Sequence, residues 1–127
     1  MPVETIIDAD AGLITYKATG DVPFSEMQEA FESIFTNPEF RSGMNALCHA
    51  KNARLTVTVL DVQNLIQLLG QYSAKRGKGF RVAVLVRSNE DFGLSSLFEV
   101  GTAPLPFEVQ VFRNSQEAYE WLGVAKV

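Results

Sequence analysis

The residues able to do chemistry in this chain are few, and they cluster at one point. His49 is its only histidine and Cys48 its only cysteine. An imidazole titrates near neutral pH and suits acid–base work, and a thiolate is a nucleophile. Adjacent residues on a strand point to opposite faces, so the two do not meet as a nucleophile and its base. One His and one Cys also fall short of the four ligands a structural zinc requires. The carboxylates of Asp8 and Asp10 lie in a turn composition and read as solvated. Gly77 and Gly79 precede an apolar run, whereas a phosphate-cradling loop follows a strand and opens a helix. No Walker loop, dinucleotide fingerprint or nucleophile elbow is present. The expectation is a protein that is not an enzyme and has neither metal nor cofactor. His49→Ala and Cys48→Ser should each leave the fold intact and abolish no hydrolase or transferase activity.

A second group is Lys75-Arg76-Gly77-Lys78-Gly79-Phe80-Arg81, with Tyr72 just before it. Basic and aromatic residues interleaved in this way suit an anion. They are read here as a basic helix end that complements the macrodipole, followed by a glycine turn on a solvated face. The formal net charge of −4 opposes a nucleic-acid footprint, which needs clustered positive charge.

These residues must be positioned by elements legible in the hydrophobic pattern. Val3–Asp8 and Leu13–Ala18 are rich in β-branched residues and flank the turn-like Ala9-Asp10-Ala11-Gly12, which predicts an antiparallel hairpin. Gly20 and Pro23 are expected to end the second strand. Phe24, Met27, Phe31, Ile34 and Phe35 share one helical face, with Ser25 and Gln28 as a capping box and Asn37-Pro38 as the stop. Residues 45–50 read as a short strand and residues 51–57 as a loop. A second helix then carries Val62, Leu65, Ile66, Leu69 and Tyr72 inward, with Thr58 and Asp61 as its start signal and Leu68 widening the stripe. Gly70 within it suggests a close helix contact. Val82–Val86 shows no alternation, as expected of a strand buried on both faces. A third helix from about Glu90 to Gly101 turns Leu94, Leu97 and Phe98 inward. Phe107, Val109 and Val111 alternate with polar residues in a last strand, whose Phe112 breaks the polar side. Asn114 and Glu117 cap a final helix that Gly123 closes. Trp121 should anchor that helix as a buried aromatic, with Trp121→Ala costing about 3–5 kcal/mol.

The order is β-β-α-β-α-β-α-β-α, an α/β domain with a mixed, mostly parallel sheet. The Phe92-Gly93-Leu94 helix start and the closing Val111-Phe112-Arg113 to Trp121-Leu122-Gly123 segment resemble the SpoIIAA-like family, relatives of STAS and CRAL-TRIO-type domains. The resemblance covers nearly the whole chain and implies the same fold. It brings no catalytic motif. The Asp-Ser-Ser-Gly-like phosphorylation motif of STAS anti-sigma-factor antagonists has no counterpart in residues 51–58, so a phospho-switch does not carry over. The position matching His49 is usually an aspartate in SpoIIAA-like proteins, and this chain departs from that. CRAL-TRIO relatives bind apolar ligands, which makes such a ligand an expectation by resemblance.

With 127 residues, 46% of them hydrophobic, one domain over residues 1–127 is expected. No N-terminal signal core, no run long enough to span a bilayer and no pair of cysteines is present, so the expected setting is cytoplasmic. In open α/β sheets ligands bind beyond the carboxyl ends of the strands. That edge nominates His49, Arg54, Thr56, Arg87, Asn89 and Phe92 as a ligand or partner site. Apolar residues in apparent surplus, Leu68, Tyr72 and Phe112, nominate an oligomer interface. The leading functional expectation is a non-enzymatic STAS-like interaction or regulatory module that self-associates into a homo-oligomer. The alternative is a small carrier or sensor of an apolar, lipid-like ligand, suggested also by nine phenylalanines. A pocket of several hundred Å³ is usual for drug-sized ligands, and at this length it would displace much of the core.

Overall fold

A computed structural model describes residues 2–124. The elements are β1 (Val3–Asp8), β2 (Leu13–Pro23), α1 (Phe24–Ser33) with a 3₁₀ turn (Ile34–Thr36), β3 (Asn45–Thr56), α2 (Val59–Gln71), α3 (Ser73–Arg76), β4 (Arg81–Leu85), α4 (Asn89–Gly101), β5 (Glu108–Phe112) and α5 (Ser115–Leu122). The strands lie side by side in chain order; β1 is antiparallel to β2, and every later pair is parallel. This is the expected mixed sheet. Inward residues of α1, α2 and the 3₁₀ turn form one core with Ile14, Val82, Val84 and Val86, while α5 alone packs on the opposite face against Leu13, Leu47, Leu85 and Phe112.

The expected loop at residues 51–57 is instead the second half of β3. Register with β2 runs from Lys17↔His49 directly to Thr19↔Asn52, so β3 carries one extra residue there. That bulge reverses which alternate residues face the helices: Ala46 and Ala50 before it, Ala53 and Leu55 after it. A period-2 pattern broken in this way imitates a loop. β2 likewise runs on through Gly20, at φ +67°, to Pro23, paired with Thr56. β1 pairs with β2 only as far as Ala18, so Pro23 lies beyond it, where a missing N–H costs no ladder bond.

Helix starts follow local chemistry. Thr58 and Asp61 form the expected reciprocal capping box on α2, and the Ser88 and Asn114 side chains accept from Asp91 N and Glu117 N. The Ser25–Gln28 box does not form, because β2 runs straight into α1 and the cap position falls on Pro23. Gly70 is not the close helix contact. A Cβ there would only graze Leu105, whereas one on Gly101 would collide with Ile66 of α2. Leu97 points to solvent, because the inward positions of α4 go to Asp91, Ser95, Phe98 and the adjoining Thr102. Two of the buried polar groups among these find backbone partners: Thr102 Oγ1 donates to Phe98 O at 2.9 Å, and Asp91 Oδ1 accepts from Leu55 N at 3.3 Å.

Trp121 docks α5 as expected, but it is half-buried. Its ring meets Phe112 at 5.6 Å and lies under the Arg81 guanidinium at 5.2 Å. Trp121→Ala should therefore cost about 2 kcal/mol, below the range for a fully buried aromatic. A urea midpoint shift worth more than about 4 kcal/mol would show a deeper anchor than this packing provides.

Candidate functional site

The residues nominated from the sequence do not assemble into one site. His49 is half-buried on the outer, α5-side face of β3, in register between Lys17 and Leu85. Arg54 is exposed and turned toward β2, where it pairs with Asp21 at 3.1 Å, a contact largely screened by solvent. Thr56 and Asn89 are exposed, Arg87 reaches Asn52 Oδ1 at 3.5 Å, and Phe92 packs on the main core under the Arg113 guanidinium. The carboxyl-edge cluster around His49 is thus drawn out: the bulge keeps His49, Arg54 and Thr56 on one outer face, but as residues of an extended strand they are spaced along it rather than gathered. Cys48 lies on the opposite face from His49, as expected.

The interface nominees are also placed inside the chain. Leu68 is buried in the main core, and Phe112 is covered by α5. Tyr72 is half-buried and joins α2 to α1: its hydroxyl donates to Glu32 Oε2 at 2.8 Å and its ring stacks on Phe35 at 4.9 Å. The hydrogen bond to that carboxylate, helped by burial, holds the phenol above its ordinary pKa. The apparent surplus of Leu68 and Phe112 is consumed by packing within one chain.

Between the sheet and helices α1, α2 and α4 lies an apolar cavity of about 170 Å³, partly open to solvent. Protein interiors seldom leave voids larger than a water molecule, so its origin bears explanation. The first four inward positions of β3, Ala46, Cys48, Ala50 and Ala53, are all small. Ala46 and Cys48 are flanked in register by Ile14 and Tyr16 on β2 and by Val82 and Val84 on β4. The middle of the sheet therefore lies lower than its sides. Phe31, Leu65, Leu69 and Phe98 roof the trough, and the bulge turns Leu55 toward it.

One charged group lines this space. Arg76 is only 4% exposed, so the expectation that the whole basic cluster sits on a solvated face fails at this residue. Its neighbours Lys75, Lys78 and Arg81 are exposed. The Arg76 backbone is pinned by Gly43 N donating to its carbonyl at 2.9 Å, its Nη2 donates to Met44 O, and its guanidinium stacks on the Phe80 ring at 3.8 Å. Nη1 is buried and has no partner among the described residues. Burial lowers the guanidinium to about 10, which leaves it charged at neutral pH. Burial likewise pushes the Cys48 thiol up to about 12 and raises the Tyr16 phenol, so both cavity neighbours are neutral.

Sequence reasoning missed Arg76, although the signal was present. The inward positions Val62, Leu65, Leu69 and Tyr72 advance by three, four and three residues, and four more lead to Arg76. Among the described residues, no three His, Cys, Asp or Glu side chains gather as a metal site would need, and no helix is long and apolar enough to cross a membrane.

No family model matches the chain, and no curated protein does. Among solved structures, it is similar to the crystal structure of an uncharacterised protein of the DUF3478 family from Shewanella loihica PV-4, described as having a SpoIIAA-like fold. The TM-score is 0.58 at 18% identity, over 94% of this chain and 91% of that one. This chain has a SpoIIAA-like fold.

Proposed function

We propose that this SpoIIAA-like domain is a non-catalytic binding protein, a carrier or sensor that takes an apolar ligand into the cavity beneath α1, α2 and α4. One observation carries the reading: a void of about 170 Å³ built by small residues on the central strand of an otherwise packed sheet. An engineered cavity of about 150 Å³ lined by Leu, Ile and Phe takes up benzene, so this volume suits an apolar body of about six to ten heavy atoms. Such a ligand is smaller than a membrane lipid, and this size removes the objection that a pocket would displace much of the core. His49, the acid–base candidate, lies on the other face of the sheet, and burial keeps the Cys48 thiol and Tyr16 phenol that do line the pocket in their neutral forms. Native mass spectrometry of freshly purified protein is the test. A co-purifying small molecule, released on denaturation, is expected. A preparation uniformly at the mass of the bare chain, which also fails to take up added 1-octanol, removes the reading.

The self-associating interaction module is retained as a second reading, on different residues from those first nominated. Val59 and Leu60 on α2 and Leu97 and Val100 on α4 are exposed, Leu60 by 63% and Val100 by 72%, and these two helices pack on one another. Exposed apolar side chains on adjoining helices suit a symmetric dimer. Sedimentation at micromolar concentration is expected to show a dimer that Leu60→Lys with Val100→Lys returns to monomer; a wild-type monomer throughout that range removes this reading.

A further inference from the structure

We infer that the ligand of this cavity is a small carboxylic acid, its carboxylate paired with Arg76 Nη1 and its hydrocarbon body filling the apolar space. The inference rests on the reading of the cavity as a ligand site, and it goes further by naming the ligand's charge and head group.

Arg76 is the observation that carries it. A buried guanidinium normally has carboxylate or carbonyl partners for its donors, because an unpaired buried charge is costly. Here Nη2 is used by Met44 O and Nη1 by nothing among the described residues. The ion pairs among the described residues are Arg54–Asp21 and Arg81–Glu108, and neither involves Arg76. The other polar groups lining the space, Tyr16, Cys48 and Ser95, bring no negative charge. The positive charge therefore faces the cavity without a counter-ion from these residues.

Geometry selects the head group. The Phe80 ring covers one face of the guanidinium plane and Met44 O occupies one arm, which leaves an N–H edge as the open donor. An N–H edge fixed in this way matches a planar carboxylate oxygen. Tyr16 lines the same cavity and its phenol feels the Arg76 charge, so we assign its hydroxyl as a second donor for the other oxygen. One cation in an otherwise apolar space balances a monoanion. A phosphate dianion would bring a second charge and more acceptors than the wall can satisfy, and an amine would be repelled. A neutral hydrocarbon would leave the charge unpaired.

The test is calorimetric titration of the full chain with octanoate, 3-phenylpropanoate and 1-octanol. In the wild type at least one of the two acids is expected to bind tenfold or more tightly than octanol, and the tighter acid identifies the body as aliphatic or aromatic. Arg76→Met, which keeps a long apolar side chain against Phe80, is expected to remove that preference. Arg76→Gln, which retains a donor for Met44 O, is expected to do the same and serves if Arg76→Met does not fold. Octanol binding as tightly as both acids in the wild type overturns the inference and leaves the ligand cavity standing. Acids that keep their advantage in a folded Arg76 variant also overturn it. If none of the three binds the wild type, the reading of the cavity as a ligand site falls as well.

Discussion

Gly77→Ala is expected to destabilise the protein by about 3–5 kcal/mol, the sum of backbone strain and overpacking. Gly77 sits at φ +95° and ψ −167°, a region essentially confined to glycine. A Cβ there would come within 2.6 Å of Gly43 N and would collide with Ser42 Oγ. The Ser42 hydroxyl can rotate away, but the backbone contact cannot relax cheaply. Gly43 N is held to Arg76 O, and Met44, the next residue, supplies the carbonyl that holds the Arg76 side chain. The same substitution should therefore displace Arg76 and weaken whatever the cavity binds. Urea unfolding is the measurement, and a loss below about 1 kcal/mol would show that the 42–44 turn and Gly77 are not in the close contact described.

Leu85→Ala is expected to cost about 3–5 kcal/mol, the usual range for truncating a fully buried leucine with little room to collapse. Leu85 has no exposed surface and lies with Leu47, Phe112, Ala118 and Leu122 in the core between the sheet and α5. Its neighbours Val84 and Val86 point the other way, into the larger core. Ligand affinity below the unfolding transition should thus stay within about threefold of wild type, since the cavity lies across the sheet. Comparable losses of stability with opposite consequences for binding separate Leu85 from Gly77. A collapse in affinity on Leu85→Ala would mean that the two faces of the sheet are not independent.

How much of this was legible in the sequence depended on whether each signal was local. Strand and helix order, the Thr58–Asp61 and Asn114–Glu117 caps and the doubly buried Val82–Val86 run are written in short windows, and the structure bears them out. The SpoIIAA-like fold was legible for the same reason. The second half of β3 was not, because a bulge between His49 and Asn52 shifts the alternation by one residue and makes the strand look irregular. The nominees His49, Arg54 and Thr56 were grouped as a loop, but as strand residues they are strung along one outer face of β3, with His49 and Thr56 seven residues of extended chain apart. Leu68 and Phe112 looked unsatisfied because a period shows which side chains share a face and not what covers them: Phe112 lies under α5, the next helix in the chain, and Leu68 enters the core built with strands distant in sequence. Arg76 was assigned by charge type, although its spacing from Tyr72 and Leu69 continued the apolar stripe. The cavity itself is a deficit of volume at Ala46, Cys48 and Ala50, visible only once the neighbouring strands are in register.

The central claim is that this void is a binding site. Calorimetric titration of 1-octanol into the wild type and into Ala50→Leu tests it most directly. Ala50 is buried on the cavity floor, and a leucine there adds three carbons to the space without touching Arg76's backbone clamp. The account predicts saturable one-to-one binding to the wild type, at least a tenfold weaker affinity in Ala50→Leu, and an unfolding midpoint in that variant that is unchanged or raised. Equal affinity for the two proteins, or no binding to either, would contradict it.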